Sequence, residues 1–214
     1  MMPFWQLSVC ATLPEIYKSM NCDKPHNKAE ILKKSIPLFA ASGYNGVSMR
    51  QIAQTVGIKA ASLYHYFPDK QSLYIAALAQ AFSNHADFMR ESFTLPVSPE
   101  MRLHHLVKKL CLLVEDDEDF RKLLHREMLD GDKNRLQLLA DNVFGDFFRD
   151  MNELCRSLSP KRDPHLMTVS ILSLVIHHYQ ITPMRSFLPG FKPAHNDPQV
   201  VAEHIFSLLQ NICG

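Results

Sequence analysis

Residues 47–70 read Val47-Ser48-Met49-Arg50-Gln51-Ile52-Ala53-Gln54-Thr55-Val56-Gly57-Ile58-Lys59-Ala60-Ala61-Ser62-Leu63-Tyr64-His65-Tyr66-Phe67-Pro68-Asp69-Lys70. Ser48 followed by Gln51 is a capping box, in which a hydroxyl and an amide side chain satisfy two orphan backbone N–H groups reciprocally. Ile52, Ala53 and Val56 then share one helical face. Gly57 ends this helix and opens a turn with little room for a side chain. Lys59–Tyr66 makes a second short helix, and Phe67-Pro68-Asp69 breaks it. Two short helices joined by a tight glycine turn form a helix-turn-helix. In such a unit the first helix braces against the DNA backbone and the second presents its N-terminal residues to base edges in the major groove.

The pattern outward from this unit is helical. Asp69 caps a long helix carrying Leu73, Ala76, Ala77 and Ala81 and reaching about Glu91. Upstream, Ile31, Ile36, Phe39 and Ala40 mark a first apolar stripe that Gly43 stops. Pro37 lies inside it, and an interior proline costs about 3 kcal/mol, so a bend is expected. Downstream, Ser98-Pro99, Asp163-Pro164 and Asp197-Pro198 each place a cap residue before proline at the first helical position. Asp130-Gly131-Asp132 breaks the stretch between. The expected helices are near 98–115, 118–129, 132–158, 163–182 and 197–212, for nine in all. No strand-like alternation, internal repeat or low-complexity tract stands out, so the fold class is all-α. Residues 1–27 lack periodicity and mix Pro3, Pro14 and Pro25 with scattered apolar residues. Residues 1–24 are read as an N-terminal tail, with Met20 an alternative start.

A chain of 214 residues holds one or two domains. Its 46% hydrophobic and 21% charged residues exclude a wholly disordered chain. The best apolar run, Ser170–Ile176, is far short of the roughly 18 residues of a membrane span. Met1–Thr12 has no positive region ahead of an apolar stretch, as a secretory signal needs. Both point to the cytoplasm. Cys10, Cys22, Cys111, Cys155 and Cys213 are widely spaced, with no C-x-x-C, which fits free thiols in a reducing compartment. The net charge of +1 hides an asymmetry: residues 24–80 carry seven Lys or Arg against two acids, for +5, while 1–23 carry −1 and 81–214 carry −3. A basic segment on a mildly acidic body suits a nucleic-acid-binding module attached to something else.

The run from Val47 to Lys70 resembles the TetR/AcrR family of bacterial transcriptional regulators. The resemblance covers roughly residues 25–85, and the nine-helix reading agrees with it. It implies an N-terminal three-helix DNA-binding domain over 25–85, with its motif at 48–67, and a helical effector-binding and dimerisation domain over 86–214. Ser48 and Arg50 match positions that touch phosphates in the family. Lys59, Ala60, Ala61 and Ser62 open the recognition helix, Tyr64 matches a phosphate-contacting tyrosine, and His65 and Tyr66 are its groove-edge neighbours. Lys70 matches a phosphate-binding lysine. Lys59 can donate to guanine O6 and N7, and the alanines can pack against thymine methyls. Lys59 stands where many members have a serine cap, so this helix start is weaker. The alanine pair shifts the reading of sequence toward DNA shape. Leu63 and Phe67 read as core, and Lys33 and Lys34 as a solvated face. Tyr66 reads equally as a DNA contact or as packed.

Residues 92–214 hold no G-x-S-x-G, Gly-rich phosphate loop or H-E-x-x-H, so no enzymatic activity, cofactor or metal is expected. Neighbours on a helix point about 100° apart, so His104-His105 and His177-His178 are poorly placed to share one metal. Phe144, Phe147, Phe148 and Met151 recur at helical spacing and read as core. In a body that holds an effector they are also candidate pocket walls, with Phe120, His125 and His177. Arg126 and Glu127, beside Asp130-Gly131-Asp132, read as surface ion pairs plus a turn. The stretch from about Arg126 to Pro189-Gly190 also looks like one recurring type of TetR-family C-terminal domain. The last two helices carry broad apolar faces: Leu166, Val169, Leu172, Leu174, Val175 and Ile176, then Val201, Ile205, Leu208 and Leu209. A second apolar face needs a partner helix, which family precedent makes a homodimer interface. The resemblance therefore implies a dimeric repressor released from an inverted-repeat operator in double-stranded DNA by a small-molecule effector. An activator, or a regulator acting mainly through protein partners, are the alternatives.

Overall fold

Cap residues and prolines set the helix starts. In the computed structural model, which describes residues 25–83 and 86–213, every regular element among the described residues is helical. The side chains described are those of 28–83 and 89–210. The tail, Met20, Cys10 and Cys22 lie outside the described residues, as does the Cys213 side chain. The helices are α1 (Pro25–Ser42), α2 (Met49–Val56), α3 (Ala60–Tyr66), α4 (Lys70–Ser83), α5 (Ala86–Thr94) and α6 (Pro99–Asp116). They continue as α7 (Glu118–Asp130), α8 (Lys133–Leu139), a π turn (Ala140–Phe144), α9 (Gly145–Leu158), α10 (Pro164–Gln180), α11 (Thr182–Arg185), a 3-10 turn (Pro193–Asn196) and α12 (Pro198–Cys213).

The caps behave as their chemistry requires. Ser98 Oγ accepts from Met101 N at 3.4 Å, and Asp163 Oδ1 from Leu166 N at 2.8 Å. Asp69 Oδ1 accepts from Ser72 N at 2.6 Å and starts α4. α1 runs through Pro37 as one helix and stops at Gly43, whose N–H bonds Phe39 O at 2.8 Å with φ at +70°.

Three elements differ from the sequence reading. The long helix over 69–91 is described as α4 and α5, with 84–85 between them outside the described residues. The helix over 132–158 is interrupted by the π turn. There Asn142 Nδ2 donates to Leu138 O at 2.8 Å, taking a carbonyl from the regular ladder. The helix over 163–182 ends at Gln180, and Pro183, which has no N–H to give, sits in the extra turn α11.

The first compact unit joins the described residues up to Phe82 with Lys122–Phe144. Phe39, Ile52, Leu63, Phe67, Leu73 and Tyr74 are fully buried in it. Phe39 meets Tyr74 edge-on at 4.8 Å between ring centroids. Glu127, expected in a surface ion pair, is instead interior: it is 0% and Arg135 6% exposed, and Arg135 Nε donates to Glu127 Oε1 at 3.0 Å, while Asp130 and Asp132 stay exposed. The reason is that the Asp130-Gly131-Asp132 turn folds α8 back, bringing Arg135 onto a glutamate eight residues earlier. Arg126 likewise turns inward, donating to Ala40 O at 2.8 Å and Ala41 O at 2.6 Å. Lys34, expected on a solvated face, pairs with Glu30 at 3.1 Å and also donates to Val56 O at 3.2 Å, at the open end of α2.

The second unit comprises Ser83–Arg121 with the described residues from Gly145 on. α6 packs on α12, α5, α10 and α9, and α10 packs on α9 and α12. Leu103, Leu106, Val107, Cys111, Met151, Cys155, Ile171, Val175, Ala202 and Ile205 fill its core. Cys111 and Cys155 are buried cysteines outside any disulfide, in line with the cysteine spacing, and burial pushes the Cys111 thiol up to about 11. No described helix is long and apolar enough to cross a membrane.

Candidate DNA-binding site

The helix-turn-helix is built from local bonds. Ser48, in extended conformation at φ −104° and ψ 153°, accepts from Gln51 N at 3.2 Å, and Gln51 Oε1 accepts from Ser48 N at 2.8 Å. The capping box read in the sequence is therefore present. At the other end Gly57 takes φ +87°, and its N–H bonds Ala53 O at 3.0 Å. Nothing lies within 4 Å of where its Cβ would be, so the glycine answers to backbone conformation and not to crowding. Gly46 is the opposite case: a Cβ there would collide with the Ser42 carbonyl. Lys59 caps α3 with its backbone only, with no side-chain bond, as its replacement of a serine implied.

Burial sorts the residues of α3. Leu63 and Phe67 are both 0% exposed and fasten the helix to the core, as expected of them. Lys59, Ala61 and His65 are exposed, Tyr64 is 51% exposed, and Ala60, Ser62 and Tyr66 are half-buried. Ser48 and Arg50, at the start of α2, are also exposed. The result is one anchored helix whose outer residues comprise a cation, two small groups, a hydroxyl and a phenol. Those are donors for phosphate oxygens and base edges and apolar contacts for thymine methyls.

Lys70 sits differently from these. Its ammonium donates to Tyr44 O at 2.9 Å and Val47 O at 3.2 Å, and stands 4.2 Å from the centroid of the Tyr44 ring. An ammonium has three donors, so one remains for a phosphate. Sequence reasoning did not single out Tyr44 or Arg135. The Arg135 guanidinium lies 4.3 Å from the Tyr44 ring centroid. Helical spacing gives no signal for a contact across 91 positions and a turn.

The candidate pocket residues fall in both units. Phe144 meets Phe82 edge-on at 4.9 Å in the first unit, where His125 is exposed. In the second, Phe147 meets Phe93 at 5.8 Å and Phe148 at 6.1 Å, Met151 and Phe120 are buried, and His177 is exposed. His104 pairs with Glu203 at 2.8 Å and stacks on Phe206 at 4.4 Å. On α10, Leu166 is 65% and Val169 41% exposed; on α12, Val200 is 42% and Leu208 40% exposed.

Residues 31–77, which include the whole unit from α2 to α3, match the domain described as bacterial regulatory proteins, tetR family. Residues 31–77 thus carry a tetR-family domain match. The chain is 29% identical over 119 residues to the HTH-type transcriptional regulator RutR of Escherichia coli K12, covering 56% of the chain and 54% of RutR. It is 39% identical over 72 residues to the HTH-type transcriptional repressor KstR of Rhodococcus jostii RHA1, covering 34% of each. The chain thus spans about half the length of RutR, the longer of these two matches. The solved structure of the transcriptional regulator FadR from Bacillus subtilis, in complex with stearoyl-CoA, superposes with a TM-score of 0.71 at 14% identity, covering 85% of this chain and 96% of FadR. AibR in complex with isovaleryl coenzyme A and operator DNA superposes with a TM-score of 0.66 at 20% identity, covering 86% and 97%. At these identities the likeness is one of fold, and it covers more than four fifths of the chain.

Proposed function

We propose that this chain is a cytoplasmic transcriptional repressor that binds an inverted-repeat operator as a homodimer and leaves it when a small-molecule effector binds. Residues 25–85 act as the DNA-binding domain and 86–214 as the effector and dimerisation domain. The observation that carries this reading is the outer face of α3: Lys59, Ala61, Tyr64 and His65 are exposed around a fully buried Leu63. RutR is named a regulator and KstR a repressor, which supports it. The half-exposed apolar residues of α10 and α12 support the dimer, since no Asp, Glu, Lys or Arg occurs anywhere along α10. A face without formal charge pairs with its own copy without repulsion.

Two recognition helices enter successive major grooves when they stand about 34–36 Å apart. An effector that prefers a body conformation with another spacing lowers operator affinity by its differential binding. Acyl-CoA thioesters are the first effectors to screen, because FadR and AibR were solved holding them.

The test is selection of bound sequences from a random DNA pool at about 150 mM salt, where non-specific binding is suppressed. An inverted repeat is expected. No enrichment with protein freed of small molecules would overturn the reading. Lys59→Ala should relax preference at one base position and cost about 1–3 kcal/mol there.

A further inference from the structure

Tyr44 lies in the connection between α1 and α2, four residues before the Ser48 cap. Two cations stand over its ring. Lys70 Nζ is 4.2 Å and the Arg135 guanidinium carbon 4.3 Å from the ring centroid. Lys70 also takes the carbonyls of Tyr44 and Val47, which are the two ends of the turn that leads into α2. Arg135 is itself held fast. Its Nε donates to both Glu127 oxygens at 3.0 and 3.3 Å, its Nη2 donates to Asp130 at 3.2 Å, and its Nη1 lies 3.6 Å from Asp132. Glu127 is wholly buried and Arg135 nearly so.

The same corner grips the connection from its other end. The last carbonyls of a helix have no partner within it. Arg126 supplies donors to two of them, those of Ala40 and Ala41 in α1. Residues 40–47 are therefore bound by Arg126 and Arg135 from the α7–α8 corner and by Lys70 from α4. A buried ion pair is a weak source of net stability, and apolar side chains of the same volume would hold these helices as well. What a planar guanidinium fixed on three carboxylates adds is direction: it admits one orientation of the ring stacked on it.

We propose that Arg135 is a positioning residue for DNA binding: held by Glu127 and stacked on Tyr44, it fixes, with Lys70, the turn from which Ser48 and the amino end of α2 meet the DNA backbone. The inference rests on the reading that α2 and α3 bind DNA. It makes the α7–α8 corner, far along the chain from the motif, part of the DNA-binding machinery.

The experiment measures dissociation constants of the full chain for the tightest duplex recovered by random-pool selection, between 50 and 200 mM salt. The proteins are wild type, the charge-balanced pair Glu127→Gln with Arg135→Met, Tyr44→Leu and Tyr44→Phe, each checked for helical content and thermal unfolding. A lost phosphate contact lowers the salt slope by about 0.9, so the change in affinity across that range shrinks about 3.5-fold per contact. The pair and Tyr44→Leu should each lose at least that much per DNA-binding domain. Tyr44→Phe, which keeps a ring under both cations, should restore the slope. A merely structural role lowers the active fraction equally at every salt and leaves the slope alone. Wild-type slopes in both the pair and Tyr44→Leu would overturn the inference. If the pair does not fold, Tyr44→Leu against Tyr44→Phe decides it. A wild-type protein whose affinity ignores salt would overturn instead the DNA-binding reading beneath it.

Discussion

Arg135→Met, made alone, should cost the protein about 3–4 kcal/mol at pH 7, and the cost should shrink with acid. The substitution removes the guanidinium that sits 3.0 Å from a glutamate with no exposed surface. Breaking a buried pair from one side typically costs about 3–5 kcal/mol, because a charge is left without compensation. A carboxylate stranded in that interior takes up a proton sooner than stay charged. For an ordinary glutamate, half-protonated near pH 4.3, neutralisation at pH 7 costs about 1.4 kcal/mol for each of some 2.7 pH units, or about 3.7 kcal/mol. The variant therefore binds a proton on folding, and its deficit should fall to about 1 kcal/mol at pH 5. Glu127→Gln should cost less, because the Arg135 cation keeps Asp130 at 3.2 Å and Asp132 at 3.6 Å. Joining Glu127→Gln to Arg135→Met should recover most of the loss. The assay is urea unfolding followed by circular dichroism at pH 5, 6 and 7. A deficit for Arg135→Met that is the same at all three values would refute the reasoning.

Four further substitutions test single groups of the structure. Gly57→Ala should cost about 1–2 kcal/mol from the left-handed backbone alone, at φ +87° with open space around the Cβ. Gly46→Ala should unfold at a lower urea concentration than Gly57→Ala, because there the backbone itself must move. Asp150 is held above the ordinary carboxylate range by burial first and by Glu153 and Asp146 next, against Arg90 and Arg149. The folded state thus binds the extra proton, so the contribution of Asp150 is full in acid and lost as pH rises through its folded value. Asp150→Asn should raise the melting temperature at pH 7 and make no difference below about pH 4. His178 is pushed below the usual histidine range by burial, then by Arg185, His204 and His177. Here the unfolded chain binds the extra proton, so stability is full above about pH 6.5 and declines in acid. His178→Gln should flatten the decline in urea midpoint between pH 7 and 5, and an unchanged slope would remove His178 as its source.

How far the sequence could be read depended on how far apart the interacting groups lie in it. The capping box is a contact between Ser48 and Gln51, and the Gly57 stop is a backbone conformation, so both could be read in place and both are present. The same holds for the starts at Ser98-Pro99 and Asp163-Pro164. In α3 Leu63 read as core, and the family resemblance alone singled out Tyr64; the first is buried and the second 51% exposed. The π turn was not legible, because it depends on whether Asn142 spends its amide on the Leu138 carbonyl or on solvent. Glu127 and Arg126 were misread because charged residues beside a Gly turn are usually wet; the return of α8 brings Arg135 onto Glu127, and Arg126 is half-buried against the end of α1. The motif points to Lys70 but does not reveal that two of its three donors are taken by carbonyls.

The first unit is assembled from two stretches of chain with Ser83–Arg121 threaded between them. During synthesis, Tyr44, Tyr74 and Phe82 leave the ribosome well before Glu127, Arg135 and Phe144, which pack against them in the finished unit. The sixty-odd residues from Ser83 to Phe144 take about 3–12 seconds to make at ordinary elongation rates. For that interval α1–α4 are complete as helices but lack the corner that binds Ala40, Ala41 and Tyr44, and they carry an uncovered aromatic face. A nascent chain arrested before residue 122 should therefore be captured by chaperones and cut by protease near Gly43, while one arrested with residue 144 clear of the tunnel should resist both. The helix-turn-helix reaches its final packing only once residue 144 has left the tunnel.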